Sequence, residues 1–181
     1  MPTLNWIGKE KVINHHQDVP YKILEPQYTF GTNAESDTTS ENKIIHGDNL
    51  EALKSLLPEY EGKVKCIYID PPYNTGNEGW VYNDNVSDPK LKKWLGQVVG
   101  KESEDLSRHD KWLCMMYPRL KLLHKLLADD GAIFISIDDV EVSNLIQITN
   151  EIFGINCFLS DIIWNSRKSR SYCGNFERRK N

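Results

Sequence analysis

The sequence predicts an α/β fold, a parallel sheet with helices on its faces. Two runs, residues 63–69 and 131–137, are strand-length, mostly apolar and rich in β-branched residues, the pattern of strands covered on both sides. Within residues 103–127, Leu113, Met116, Leu120, Leu123 and Leu127 keep 3-4-3-4 spacing, which makes one apolar helix face. Strand-like and helix-like segments alternate along the chain, as they do where helices connect parallel strands.

Residues 1–30 hold scattered apolar anchors, among them Leu4, Trp6, Val12 and Val19. They are too apolar for a free tail and too irregular for a definite helix. His15-His16 has no Cys or acidic partner at ligand spacing, so no metal is expected. Residues 31–42 are polar and read as a linker. Residues 43–46 predict a short strand. A helix then runs from Asp48 to Leu57, where Pro58 should end it; Asp48 with Glu51 has capping-box spacing. After the 63–69 strand, residues 74–87 form a long loop with Trp80 and Tyr82, the kind of loop that often carries function. Asp88-Pro89 starts a helix through residue 99. Pro118 should kink or split the next helical stretch. Beyond the second strand, Asp138 with Glu141 can cap a helix that ends at Gly154. Residues 158–164 predict a third strong strand.

The chain has 181 residues, one domain's worth of core. No apolar run nears the roughly 20 residues of a membrane span, and no secretory signal opens the chain; a cytoplasmic protein is expected. Its cysteines, Cys66, Cys114, Cys157 and Cys173, are widely spaced and read as reduced thiols. The net charge of −4 is not that of a simple DNA-binding module. Residues 165–181, however, carry Arg167, Lys168, Arg170, Arg178, Arg179 and Lys180 against Glu177 alone, a net +5 that leaves −9 for the remainder.

The first strand runs into Asp70-Pro71-Pro72-Tyr73-Asn74-Thr75-Gly76. The prolines fix φ and donate nothing, so the chain leaves the sheet stiffly. Strand carboxyl ends are where open α/β sheets bind ligands. Asp70 and the Pro71 carbonyl are acceptors, Tyr73 is a ring able to stack on a base, and Asn74, Thr75 and Gly76 allow close approach. The set suits a planar ring with an exocyclic amine. Two acceptors on that amine's N–H bonds favour a localised lone pair near the transition state, and the base must first be flipped from its duplex.

Asp-Pro-Pro-Tyr resembles the catalytic motif of S-adenosylmethionine-dependent amino methyltransferases acting on DNA. The surrounding segments sharpen the resemblance: 45–53 (Ile-His-Gly-Asp-Asn-Leu-Glu-Ala-Leu), 130–139 (Asp-Gly-Ala-Ile-Phe-Ile-Ser-Ile-Asp-Asp), 151–154 (Glu-Ile-Phe-Gly) and 162–164 (Ile-Ile-Trp). Over residues 1–175 the chain looks like the beta-class adenine-N6 methyltransferases, most closely the modification subunit of type III restriction–modification systems. The resemblance implies a permuted Rossmann-like fold and methyl transfer from S-adenosylmethionine to a flipped adenine in double-stranded DNA, with no metal. It gives Asp70, Pro71, Pro72 and Tyr73 catalytic roles. Asp48, Asn49, Asp70 and Asp138 would face the cofactor. Asn74, Thr75, Gly76, Trp80, Tyr82, Arg167, Lys168 and Arg170 would face DNA. It divides the chain into an extension and linker (1–42), a catalytic part (43–164) and the start of a target-recognition region (165–181). Cytosine-N4 is the lesser substrate alternative; RNA or a glutamine side chain is a weaker one.

The family's glycine-rich cofactor turn is missing, because no Gly-x-Gly occurs here. We therefore expect a catalytic-half fragment with an incomplete fold, whose first strand exposes an edge prone to self-association. The contrasting expectation is a catalytically silent piece that only assembles or contacts DNA. A restriction subunit is a possible partner of the complete protein.

Overall fold

The computed structural model describes residues 3–28, 42–75, 89–99 and 107–164. Its elements in chain order are α1 (Lys9–Val12), α2 (His15–Asp18), α3 (Asn49–Tyr60), β1 (Val64–Ile69), α4 (Pro89–Val98), α5 (Arg108–Leu126), β2 (Leu127–Ile135) and α6 (Val142–Phe153), followed by a 3-10 turn, Ile155–Cys157. The result is a mixed helix–sheet domain around a small parallel sheet.

α5 is the centre of the packing and touches α1, α2, α3, α4, α6 and β2. Trp112 to Pro118, Leu120, Leu122, Leu123 and Leu126 are all buried, so the helix is apolar nearly all round, as a central helix is. It opens on a capping box: Ser107 Oγ accepts from the Asp110 amide, and Asp110 accepts in return from the Ser107 amide. Pro118 neither splits it nor ends it. Packing on every side outweighs the lost backbone bond, and beside the gap the Arg119 guanidinium donates to the Met115 carbonyl at 2.6 Å. Pro58 likewise lies inside α3 rather than ending it.

The N-terminal anchors are docked, as their apolar content implies. Val12 and Val19 are buried. Lys9 Nζ donates to the Leu4 carbonyl at 2.7 Å and to Glu151 at 2.8 Å, and Glu151 accepts from the Tyr117 hydroxyl at 3.0 Å. Lys54 on α3 donates to the carbonyls of His16 and Gln17 at the end of α2. Cys114 is buried, whereas Cys66 and Cys157 are exposed, and all three are free thiols.

β1 and β2 pair in parallel, with Ile67 opposite Ile133 and Ile69 opposite Ile135. The expectation of strands covered on both faces is corrected here. Ile67 is buried against the helices, but Tyr68 is 65 % exposed and Phe134 46 %. Among the described residues, helices therefore cover one face, and the alternation is that of a half-buried sheet. Two expected strands are also absent among the described residues. Residues 43–46 carry no ladder, and residues 158–164 lie exposed, Trp164 at 87 %. β-branched composition marks what a strand can be; an available partner edge decides whether it forms.

The β1–β2 register slips between Val64 and Cys66, and Gly131 sits at the slip. A Cβ there would lie 2.8 Å from the Val64 carbonyl oxygen and 3.0 Å from that of Ala128. Backbone cannot yield as a side-chain tip can. Gly131→Ala is therefore expected to lower stability by about 1–3 kcal/mol, read as a lower urea midpoint; an unchanged midpoint would contradict this close approach.

Candidate active site

Asp70 is the first residue past β1, and its carboxylate is exposed. The ladder ends beside it, where the Ser136 amide donates to the Ile69 carbonyl at 3.1 Å. Because the strands run in parallel, Asp138, three residues past β2, emerges from the same edge of the sheet. The Tyr73 hydroxyl donates to Asp70 Oδ1 at 2.7 Å, and its ring is half-buried. This bond to the carboxylate, aided by burial, pushes the Tyr73 phenol up to about 12. The phenol thus stays protonated, and a donor, throughout the neutral range. A carboxylate has about four lone-pair sites, so Asp70 can accept from Tyr73 and from a further N–H donor together.

The loop itself is held from outside. The Trp112 indole Nε1 donates to the Pro72 carbonyl at 2.7 Å, whereas the Pro71 carbonyl has no donor among the described residues. Asn74 is left-handed, at φ 58°, a conformation Asn tolerates better than most non-glycine residues. Its side chain is turned inward. It is 2 % exposed and donates to the Arg108 carbonyl and to Glu141. The Asn74 amide nitrogen is thus committed inside the protein. Thr75 is half-buried at the end of the described segment, while Gly76, Trp80, Tyr82, Arg167, Lys168 and Arg170 lie outside the described residues.

Of the carboxylates assigned to the cofactor, Asp48 is a helix cap, whereas the expected capping role of Asp138 is corrected: α6 begins at Val142 with Glu141 at its N-cap, and Asp138 holds only the turn before it. Asp48 Oδ1 accepts from the amides of Leu50 and Glu51 at 2.9 and 3.2 Å, so the capping reading holds at α3. Exposed Asn49 accepts from Arg119 at 2.8 Å. Asp138 Oδ1 accepts from the Val140 amide at 3.2 Å, and its carbonyl accepts from Glu141 and Val142. The Glu141 side chain takes no part in that turn. Glu141 holds the N-cap position of α6 with no side-chain cap bond, and its carboxylate turns to Asn74, His109 and Asn144 instead.

Sequence reasoning missed Trp112, His109, Glu141 and Asn144. Trp112 was hidden in an apolar helix, and no local spacing links Glu141 to a loop 67 residues earlier. A shallow apolar depression lined by Ile45, Leu56, Tyr60, Val64 and Leu126 lies at the opposite end of β1 from Asp70. No described helix is long and apolar enough to cross a membrane.

The Tyr73–Asp70 bond has a pH signature. A phenol whose pKa is raised on folding stabilises the fold below its unfolded value, near 10, and loses that contribution as pH climbs toward 12. With 13C-labelled tyrosine, one ring resonance should titrate near 12 and move back toward 10 in Asp70→Asn. A Tyr73 resonance that titrates like an exposed tyrosine in the unaltered chain would show that the bond is not kept in solution.

Comparison with known proteins places this corner in a family. A family model described as DNA methylase, for N6 and N4 methyltransferases, matches residues 64–181. The Mod subunit of the type III restriction–modification enzyme EcoP15I of Escherichia coli is 38 % identical over 173 residues, covering 91 % of this chain and 27 % of its own length. The StyLTI Mod subunit of Salmonella typhimurium is 39 % identical over 175 residues, 93 % of this chain and 27 % of its own. The type II methyltransferase M.KpnI of Klebsiella pneumoniae is 38 % identical over 127 residues, 70 % of this chain. The chain spans about a quarter of the length of these curated relatives. With the family match beginning at β1 and running through the Asp70–Tyr73 corner, the chain belongs to the N6/N4 DNA methylase family.

Proposed function

We propose that this chain is the catalytic part of a DNA adenine-N6 methyltransferase of the type III modification kind, with a permuted Rossmann-like fold completed by further chain. The observation that carries the reading is the exposed Asp70 carboxylate at the carboxyl end of a parallel strand, with the Tyr73 ring held 2.7 Å away through its hydroxyl. Asp70 and the Pro71 carbonyl accept the two N–H bonds of the adenine amine. That removes the lone pair from conjugation with the ring and leaves it available for reaction, an interaction that strengthens as the transition state forms. Tyr73 stacks on the flipped base, which double-stranded DNA must release from its helix. Its bond to Asp70 fixes the ring's position before the base arrives.

S-adenosylmethionine would supply the electrophilic methyl carbon. The residues present fit part of it. Asp48 commits one carboxylate oxygen to the start of α3 and Asp138 one to the turn before α6, and the other oxygen of each has no hydrogen-bond partner among the described residues. Such acceptors suit ribose hydroxyls and amino groups on a cationic ligand. No metal enters this chemistry. DNA is the proposed macromolecular partner, with a restriction subunit and a second copy of the chain as assembly partners. Adenine is favoured over cytosine-N4 by the similarity to type III Mod subunits.

In the complete protein, Asp70→Ala is expected to cut the methylation rate by about 100-fold or more while the far-UV spectrum stays unchanged, the scale seen when one preorganised transition-state contact is lost. Near-normal turnover would remove Asp70 from this role.

A second reading is favoured by one observation, the absence of any Gly-x-Gly turn from the chain: the piece by itself is catalytically silent. Calorimetry of this chain with S-adenosylmethionine separates the two. Binding near about 10 μM rejects silence, whereas no heat at about 1 mM supports it.

A further inference from the structure

Glu141 is fully buried, 0 % exposed. An isolated buried carboxylate is costly and persists only where donors surround it. Three side chains supply them. Asn74 Nδ2 and His109 Nδ1, the latter at 2.7 Å, meet Oε1, and Asn144 Nδ2 meets Oε2 at 2.7 Å. Facing an acceptor, His109 Nδ1 must carry its proton.

Local structure does not explain this expense. Glu141 stands where a helix N-cap should accept from the first-turn amides, yet it makes no such bond. Asn144 is local, but His109 lies 32 residues away at the start of α5 and Asn74 67 residues away in the loop after β1. Glu141 therefore ties together three segments that no ladder connects. The Asn74 end matters most. Its left-handed backbone turns the chain at the close of Asp70-Pro71-Pro72-Tyr73, and the amide that reaches Glu141 also donates to the Arg108 carbonyl at 3.3 Å. One residue pair thus fixes both where the loop ends and how it turns.

We propose that Glu141 is a positioning residue: through Asn74, and together with the Trp112–Pro72 bond, its buried carboxylate sets the path of the loop that presents Asp70 and Tyr73. What the corner does chemically rests on the methyl-transfer reading; the lock does not. Glu141 is fully buried, and its reach to the loop is the bond to Asn74.

The indole N–H of Trp112 reports the lock directly, because its acceptor is the Pro72 carbonyl. Trp164, which is exposed, is an internal reference. Hydrogen exchange by NMR would be followed in the 181-residue chain, with the Trp112 signal assigned from Trp112→Phe. In the unaltered chain the Trp112 indole should exchange at least about tenfold more slowly than that of Trp164. Asn74→Gly keeps the left-handed turn and removes the amide; Glu141→Gln keeps the size and removes the charge. Each should lose about tenfold of the Trp112 protection while amides of Ile67 and Leu120 stay protected. Each should also return the Tyr73 titration toward 10, a change that a merely structural role would not cause. The double variant should add little to either single one, because both cut the same link.

Unchanged Trp112 protection and Tyr73 titration in Asn74→Gly would overturn the proposal, as would fully additive losses in the double variant. If Glu141→Gln fails to fold, Asn74→Gly alone decides. None of these readouts uses DNA or a methyl donor, so failure of the methyl-transfer reading would leave them unaffected.

Discussion

Two consecutive prolines strip the backbone of donors just where the chain leaves β1, so no ladder can hold the segment that carries Asp70 and Tyr73. Contacts from other elements must hold it, and two stand out among the described residues. The Trp112 indole on α5 takes the Pro72 carbonyl, and the Asn74 amide runs down to Glu141 at the start of α6. The helices that fill the core on one side of the sheet are thus the same ones that fix the exposed corner above it. Stiffness from proline and anchorage from buried side chains are complementary. Proline narrows the paths the loop can take, and the anchors choose among them.

The consequence for the site is preorganisation. Asp70 is left in solvent with acceptor capacity to spare, while Tyr73 is fixed by donating into it. Neither group has to move far to meet a planar amine, and the cost of ordering them is met during folding rather than during binding. The raised phenol pKa follows from the same bond. The residues proposed for the cofactor follow another economy. Asp48 starts α3 and Asp138 holds the turn before α6 with one oxygen each, and structural and ligand roles can coexist on a carboxylate because it has two.

Much of this was legible in the residues. β1, α4, α6 and most of α5 were visible from periodicity and caps, since those signals are local. The corner itself was legible because proline, an acid and an aromatic in sequence restrict both conformation and chemistry. What could not be read was long-range. Pro118 was expected to break α5, but burial along that helix outweighs one missing bond. Residues 158–164 have strand composition and form no ladder, because pairing needs an edge that local sequence does not describe. Tyr68 and Phe134 sit in apolar runs that imply two covered faces, yet the described helices reach only one. Asn74 shows the limit most sharply: its residue type suits a turn beside a ligand, and only the fold discloses that its amide faces Glu141.

The account stands on the claim that the Asp70–Tyr73 corner receives the amine of a base taken out of DNA. A structure of the complete protein with duplex DNA and a non-reactive analogue of the methyl donor tests it most directly. The account predicts an extrahelical adenine with N6 at about 3 Å, hydrogen-bond distance, from both Asp70 and the Pro71 carbonyl, and with its ring on Tyr73. An extrahelical base whose amine meets other groups, with Asp70 still facing solvent, would contradict it.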